Sequence, residues 1–329
     1  MAESNHGARK APLLIRLAVS VLLLGLILYR VDYAGFAELL PTLSPLLLVA
    51  GFGLLLTDRV IMSHRWHILV KAKGFRIPFF DIVRMYFVSA FLGLFMPSSV
   101  APDFIRVYLA TKYRFPISDA LSSVFLDRFI GFLTLAAIAF CSAVAVMLFS
   151  QTIHISSWLV FFTLAPILVA LLLILTLQYD IPPMQNLFSS NRWITKIWTV
   201  LSDFRLSITT YKRHMDSLIK VSIWCIINHI IQILTTYTIA MALDIHTSFL
   251  YLCIIVPLVS FVTMLPISLA GLGIQEGAFI YFFSQMGVSS QGAFAIAVLI
   301  RIVMTLGCIP GGIFYLLGTD PGIREEKSH

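Results

Sequence analysis

Two helix-breaking segments interrupt long apolar stretches of this chain, and they constrain its fold more than any other feature. The first runs from Met96 to Asp103 and the second from Leu265 to Gly273, and both carry the pattern Pro-x-Ser-apolar-Ala-(Pro/Gly). Irregular backbone is tolerated at membrane depth only where protein buries it or where it lines a polar cavity. Broken segments at corresponding positions of two halves indicate a transport site in a membrane protein.

Composition places most of the chain inside a membrane. Hydrophobic residues make up 59% of the 329 residues and charged residues only 12%, whereas a soluble domain carries about 25% charged residues. Apolar segments and short connections account for nearly the whole chain. We therefore expect an all-α, polytopic integral membrane protein in which residues 1–329 form a single transmembrane domain, with inverted halves at 1–150 and 151–329.

Six apolar segments are long enough to cross a membrane, which takes roughly 20 apolar residues. Two further apolar stretches, 79–112 and 249–286, contain the helix-breaking segments. We expect each of these to form a re-entrant hairpin, the first entering from the inside and the second from the outside. The six predicted spans are 13–30, 42–63, 117–149, 157–178, 218–242 and 290–317.

The basic residues favour this layout and orient it. All 23 Lys and Arg residues except Arg30, Arg128 and Arg301 fall on one side of the membrane. Because basic residues accumulate in cytoplasmic loops, we predict a plasma-membrane protein with both termini in the cytoplasm. The net charge of +7 indicates anionic phospholipids at the cytoplasmic face as partners, and not nucleic acid. The basic loop 180–217 fits either an amphipathic helix on the inner leaflet or a solvated connector.

Charged residues inside the predicted spans are candidate site residues. Arg128 lies about 11 residues into its span, or roughly 16 Å at 1.5 Å per residue, and Arg301 lies similarly deep. An unpaired charge there costs at least a few kcal/mol, so both side chains must face protein or a wet cavity. These arginines could hold a lipid phosphate, or they could be structural and satisfy carbonyls at the hairpin tips. The candidate partners are Asp103, Arg106, Asp127 and Glu276, and the tip residues are Pro97, Ser99, Pro266, Ser268, Gly271 and Gly273.

Two other sets of polar residues allow more than one interpretation. Asn228, Gln232 and Thr235 share one helix face at i, i+4 and i+7. They could line the same polar path or form interhelical hydrogen bonds. Charged and aromatic residues at the end of the 42–63 span indicate anchoring at the cytoplasmic interface. Two histidines in this set have the spacing of metal ligands, but no further Cys or His ligand lies nearby in the sequence. This second set comprises Asp58, Arg59, His64, Arg65, Trp66 and His67.

Enzyme signatures are poor. Gly271-Leu272-Gly273 has no third glycine at the spacing of a dinucleotide site, and the sequence contains no P-loop, nucleophile elbow or HExxH. We therefore expect no cofactor and no metal, and a transporter in preference to an enzyme. Transport without a nucleotide site would be driven by a gradient of ions or of the lipid itself.

The order of these motifs resembles that of the flippase-like membrane domain of lysylphosphatidylglycerol synthases, a family also found as stand-alone proteins. The chain departs from the family pattern at Ala101-Pro102 and Ala270, where glycines are expected, and at Gln275, where a basic residue often precedes the glutamate. The matching residues are Arg65-Trp66, Pro97 with Asp103 and Arg106, Asp127-Arg128, Pro266-Ile267-Ser268 with Gly271, Gly273 and Glu276, and Arg301.

The resemblance implies a translocase that moves a phospholipid or a polyprenyl-phosphate-linked lipid between leaflets. Arg128 and Arg301 are expected to contact the phosphate, and the other charged candidates to shape a cavity beneath the hairpin tips. We expect no synthase domain beside the transmembrane domain, so a lysyl lipid need not be the substrate. Two alternatives stay open. One is a membrane enzyme, or a membrane subunit of a glycosyl or aminoacyl transferase acting on a lipid acceptor. The other is a scaffold that recruits a lipid-modifying enzyme through loop 180–217.

Overall fold

A computed structural model describes residues 41–96, 100–149, 168, 210–211, 214–264 and 271–317. This part of the chain is mainly helical. These ranges contain nine bounded helices and no strand, which confirms the predicted all-α class. The helices are α1 Pro45–Ala72, α2 Phe79–Gly93, α3 Ala101–Thr111, α4 Ile117–Phe149, α5 Met215–Ala242, α6 Phe249–Met264, α7 Ile274–Ser284, α8 Ser290–Leu306 and α9 Ile309–Leu316.

Four helical segments within the described ranges are long and apolar enough to cross a membrane. They are Pro45–Ala72, Ile117–Leu148, Met215–Ala242 and Ser290–Leu316, and each corresponds to a predicted span. The other two predicted spans, 13–30 and 157–178, lie outside the described residues. Loop 180–217 also lies outside them, apart from 210–211 and its last four residues.

The last of these segments is interrupted within the predicted span 290–317. Helix α8 ends at Leu306 and α9 begins at Ile309. Pro310 explains the break, because proline has no N–H to donate to the carbonyl of Leu306 one turn earlier. The short helix α9 then packs closely on α2. A Cβ atom added to Gly311 would lie 1.9 Å from the Phe87 carbonyl oxygen.

Each helix-breaking segment separates two helices that pack against each other, α2 with α3 and α6 with α7. In the first pair, the missing side chain of Gly93 makes room for Pro102, whose Cγ would lie 2.5 Å from an added Cβ. In the second pair, Gly271 and Gly273 have φ values of +75° and +81°, which glycine adopts most readily. The tip residues Pro97, Ser99, Pro266 and Ser268 lie outside the described residues. Re-entry of these hairpins from opposite membrane faces stays a prediction.

Helices α1, α4 and α5 pack against one another and form the centre of the described part, with α1 and α5 as the most extensive pair. The α2–α3 hairpin lies against α1, α4 and α9, and the α6–α7 hairpin lies against α4, α5 and α8. Each hairpin has its own apolar core, with Trp66 and Met85 fully buried in one and Leu252 and Phe283 in the other. The α2–α3 hairpin therefore places its charged residues beside α4, whereas the α6–α7 hairpin places Glu276 beside Arg301 of α8.

Candidate functional site

Asp127 of α4 interacts with two arginines and a tyrosine in the protein interior. Arg65 of α1 donates through Nη2 to Asp127 Oδ1 at 2.8 Å and to the Asp127 backbone carbonyl at 3.2 Å. Arg106 Nη1 lies 3.7 Å from Asp127 Oδ2, and the Tyr86 hydroxyl donates to the same oxygen at 3.4 Å. All four side chains are buried. One carboxylate therefore compensates two buried guanidinium groups.

Asp103 of α3 extends this network towards the protein surface. Its Oδ1 accepts from Arg106 Nη2 at 2.9 Å, one helical turn later, and its Oδ2 lies 2.8 Å from Arg128 Nε. The Arg106 guanidinium also lies over the rings of Tyr86, at 4.4 Å, and Trp66, at 4.9 Å. Such cation–π contacts stabilise a desolvated positive charge. Arg106 is thus held by Asp103 and by the two aromatic rings, and Asp103 connects it to Arg128.

Arg65 connects the network to α5. Its Nη1 donates to Asn228 Oδ1 at 2.7 Å, and the Asn228 amide in turn donates to Asp58 Oδ1. Gly131 of α4 makes room for the guanidinium, because an added Cβ would lie 3.2 Å from Arg65 Nη2. Arg65 therefore joins α1, α4 and α5 through hydrogen bonds. We call the set Asp58, Arg65, Asp103, Arg106, Asp127, Arg128 and Asn228 the Asp127 cluster.

The Asp127 cluster is formally neutral, since it contains three arginines and three aspartates. Neutrality matters because an uncompensated buried charge costs several kcal/mol, whereas a paired one does not. The side chain of Arg128 is 42% exposed, while those of Arg65, Arg106 and Asp127 are at most 3% exposed. Arg128 is therefore the member of the cluster that a ligand can reach.

A second charged group lies at the α6–α7 hairpin, and we call it the Arg301 cluster. Arg301 of α8 donates through Nε to Glu276 Oε1, and through Nη2 to the Gly271 carbonyl at 3.3 Å and to Gln275 Oε1 at 3.1 Å. Glu276 Oε2 accepts from the Gly273 N–H at 2.8 Å, at the N-terminus of α7 where a carboxylate is favoured. The Arg301 side chain is 28% exposed. Arg301 thus fixes the backbone that leads from the second helix-breaking segment into α7.

A cavity of about 130 Å³ lies between the two clusters. Asp58 of the Asp127 cluster and Gln275 of the Arg301 cluster both line it, together with Gln232 of α5. No hydrogen bond or ion pair among the described residues joins the two clusters, but both contribute residues to the wall of this cavity.

The predicted site residues separate into two groups in the structure. Asp103, Arg106, Asp127 and Arg128 come together, and so do Glu276 and Arg301, and no ion pair or hydrogen bond among the described residues joins the two groups. Of the predicted polar path, Gln232 lines the shared cavity and Asn228 bridges Arg65 to Asp58. The assignment of a binding role to these residues stays a prediction.

Arg65 and Asp58 are the functional candidates that sequence reasoning missed. The interfacial anchoring of the residues around position 65 stays a prediction, but it does not account for their burial. Helix α1 continues to Ala72, and Arg65, Trp66 and His67 are buried in protein. The available signal was their spacing, since Asp58 and Arg65 are two turns apart and face the same side of the helix.

The membrane depths that the sequence predicts for these charged residues are also mutually inconsistent. Arg65 and Arg106 were assigned to the cytoplasmic face and Arg128 to the midplane, yet Asp127 and Asp103 join all three. The cause is the length of α4. Its 33 residues make a helix about 50 Å long, whereas the hydrocarbon core is about 30 Å thick. A residue's count from the start of such a helix therefore does not give its depth.

The fold and these clusters define an integral membrane protein in which two helical hairpins flank a central helix trio and each hairpin takes part in an arginine–carboxylate network. Residues 13–312 match the family described as the lysylphosphatidylglycerol synthase TM region, and the chain belongs to that family. This confirms the resemblance of the motifs. A UPF0104 membrane protein, MJ1595, of Methanocaldococcus jannaschii is 24% identical over 302 residues, which cover 88% of this chain and 89% of the relative. No solved structure matches the chain.

Proposed function

We propose that this protein moves a lipid with a phosphate-bearing headgroup between the two leaflets, and that Arg128 holds the phosphate. The substrate class is a phospholipid or a polyprenyl-phosphate-linked lipid. One observation carries the proposal: Arg128 pairs with the partly buried carboxylate of Asp103, while its own side chain is 42% exposed. Membership of a membrane-domain family linked to lipid handling supports a lipid as the ligand.

The geometry of Arg128 suits a phosphate. Asp103 contacts Nε and so orients the guanidinium, while the two terminal amino groups have no protein acceptor within the described ranges. Two parallel N–H donors on a planar group match two phosphate oxygens. Because the Asp127 cluster is neutral without a ligand, a phosphate anion would be attracted chiefly by the exposed arginine and would not disturb the buried pairs.

We infer that Arg301 provides a second phosphate contact at the other hairpin. It is partly exposed, and Glu276 compensates its charge as Asp103 compensates that of Arg128. A lipid headgroup passing between the hairpins would then exchange one guanidinium for another and would not cross the apolar core as an unpaired anion. We also infer a plasma-membrane location, cytoplasmic termini and anionic phospholipids against the basic loops.

Replacing Arg128 by glutamine is expected to reduce lipid translocation about tenfold to a hundredfold, because it removes a charged hydrogen-bond pair worth about 1.5–3 kcal/mol. The measurement is dithionite quenching of a fluorescent phospholipid in proteoliposomes, where quenching beyond the outer leaflet reports translocation. Lys220→Gln is the matched control, because it removes an exposed cation from α5 that pairs only with Asp216 on the same helix. The thermal unfolding midpoints of both variants are expected to match that of the wild type. Arg128→Gln vesicles that translocate lipid at the wild-type rate would refute the assignment.

A further inference from the structure

We propose that the cavity between the two clusters binds a monovalent cation, with the Asp58 carboxylate as the charged ligand. The cavity volume is about 130 Å³, whereas a single water needs about 10–15 Å³. There is room for an ion together with part of its hydration shell. The binding site itself does not depend on the proposed lipid transport.

The hydroxyl groups that line the cavity present only oxygen lone pairs to it. Each of the four already donates its hydrogen to a backbone carbonyl of its own helix, at distances of 2.8, 3.2, 2.8 and 2.9 Å. A hydroxyl has one hydrogen to donate and two lone pairs to accept with. Its remaining capacity is therefore that of an acceptor, which a cation requires and an anion does not. The four residues are Thr235, Thr236, Ser260 and Thr263.

The charge that lines the cavity also favours a cation over an anion. Asp58 is only 6% exposed, and its hydrogen-bond donors on α5 are the neutral amides of Asn228 and Gln232. Arg59, the next residue of α1, also interacts with this carboxylate electrostatically. Arg65 approaches through Asn228, but its own guanidinium is bonded to Asp127. A phosphate in this cavity would meet a carboxylate and the hydroxyl lone pairs, with the amide N–H groups of Gln232 and Gln275 as the donors among the lining residues described. A cation would instead bring a further compensating charge to the buried carboxylate of Asp58.

The position of the cavity also connects it to both clusters. On one side, Asp58 contacts Asn228, which bonds Arg65 and so leads to Asp127. On the other side, the Gln275 side chain accepts from Arg301. A bound cation adds one positive charge to a neutral network and favours an anion at its exposed arginine. This coupling of cation and lipid phosphate, unlike the site itself, rests on the proposed function.

The test is thermal unfolding of the purified protein in detergent, without lipid transport, at constant ionic strength. Sodium, potassium and methylammonium chlorides are titrated against N-methylglucamine chloride at pH 6.5 and pH 8.5. We expect a saturable rise of the unfolding midpoint with at least one of the three small cations. The rise is expected to be lost in Asp58→Asn and kept in Asp216→Asn, which changes an exposed aspartate of α5 in the same way.

A second variant covers the case in which Asp58→Asn folds poorly. Thr235→Val keeps the shape of the side chain but removes one acceptor oxygen, and we expect it to raise the half-saturating cation concentration about two- to tenfold. Saturation by sodium or potassium identifies an inorganic ion, and preferential saturation by methylammonium identifies the ammonium of a lipid headgroup. Identical titrations in all four salts at both pH values overturn the proposal, as does an unchanged response in both variants.

Because no lipid moves in this measurement, it separates the cation site from the transport proposal. Cation binding without lipid translocation would support the cation site and refute the proposed function. Lipid translocation without any cation response would support the proposed function and refute the cation site.

Discussion

Replacement of Asp127 by asparagine is expected to lower the free energy of unfolding by about 3–5 kcal/mol, the cost of leaving a buried charge without its partner. The carboxylate compensates both Arg65 and Arg106, which are fully enclosed by protein. Asparagine keeps the shape of the side chain but leaves two guanidinium groups to share the charge of Asp103 and Asp58. The effect is therefore electrostatic, and packing contributes little to it.

Thermal unfolding in detergent measures this loss, and Asp244→Asn is the matched control. Asp244 is exposed and has a positive φ of 58°, which asparagine tolerates well, so its replacement is expected to stay within about 0.5 kcal/mol. Adding Arg65→Met to Asp127→Asn is expected to recover part of the loss, since it removes one of the unpaired guanidinium groups. Equal unfolding midpoints for Asp127→Asn and the control would show that the buried network does not stabilise the fold.

Replacement of Arg301 by lysine is expected to reduce lipid translocation at least about tenfold, although the positive charge is retained. Arg301 donates at once to a carboxylate, a backbone carbonyl and an amide oxygen. An ammonium is a compact point charge that cannot reproduce this planar arrangement of donors. The carbonyl of Gly271 and the side chain of Gln275 would lose their partner, and the start of α7 would no longer be held.

Proteoliposome translocation measures this effect, with Arg76→Lys as the control. Arg76 is exposed and lies in the loop between α1 and α2, so the same substitution there is expected to leave the rate unchanged. A wild-type rate in Arg301→Lys would mean that charge alone suffices at this position. In that case the three-way hydrogen bonding of Arg301 would be irrelevant to transport.

Local features of the sequence predicted much of this fold. Helix α4 has the bounds predicted for it, 117–149, because this mainly apolar segment contains no proline and a membrane-spanning segment outside a closed barrel is helical. The pairing of Asp103 with Arg106 follows from their spacing of three residues on a helix. Apolar length predicts the last span, 290–317, but not the break after Leu306 within it, which Pro310 explains.

The Asp127 cluster could not be predicted in the same way. Arg65 bonds residues 62 and 163 positions away, and only the packing of α1 on α4 and α5 brings them together. The α5 polar face illustrates the same limit. The spacing of its polar residues allows either a polar path or interhelical hydrogen bonds. In the structure, Asn228 forms hydrogen bonds with two residues of α1, whereas Gln232 and Thr235 line the cavity.

The most direct test of the central claim compares two fluorescent lipids in vesicles containing the wild-type protein. One carries a phosphate headgroup, and the other has the same chains and fluorophore but an uncharged sugar headgroup without phosphate. Recognition by Arg128 and Arg301 predicts that dithionite reaches inner-leaflet label only for the phosphate lipid. Equal quenching of both lipids, or none beyond the outer leaflet for either, would contradict phosphate-dependent translocation.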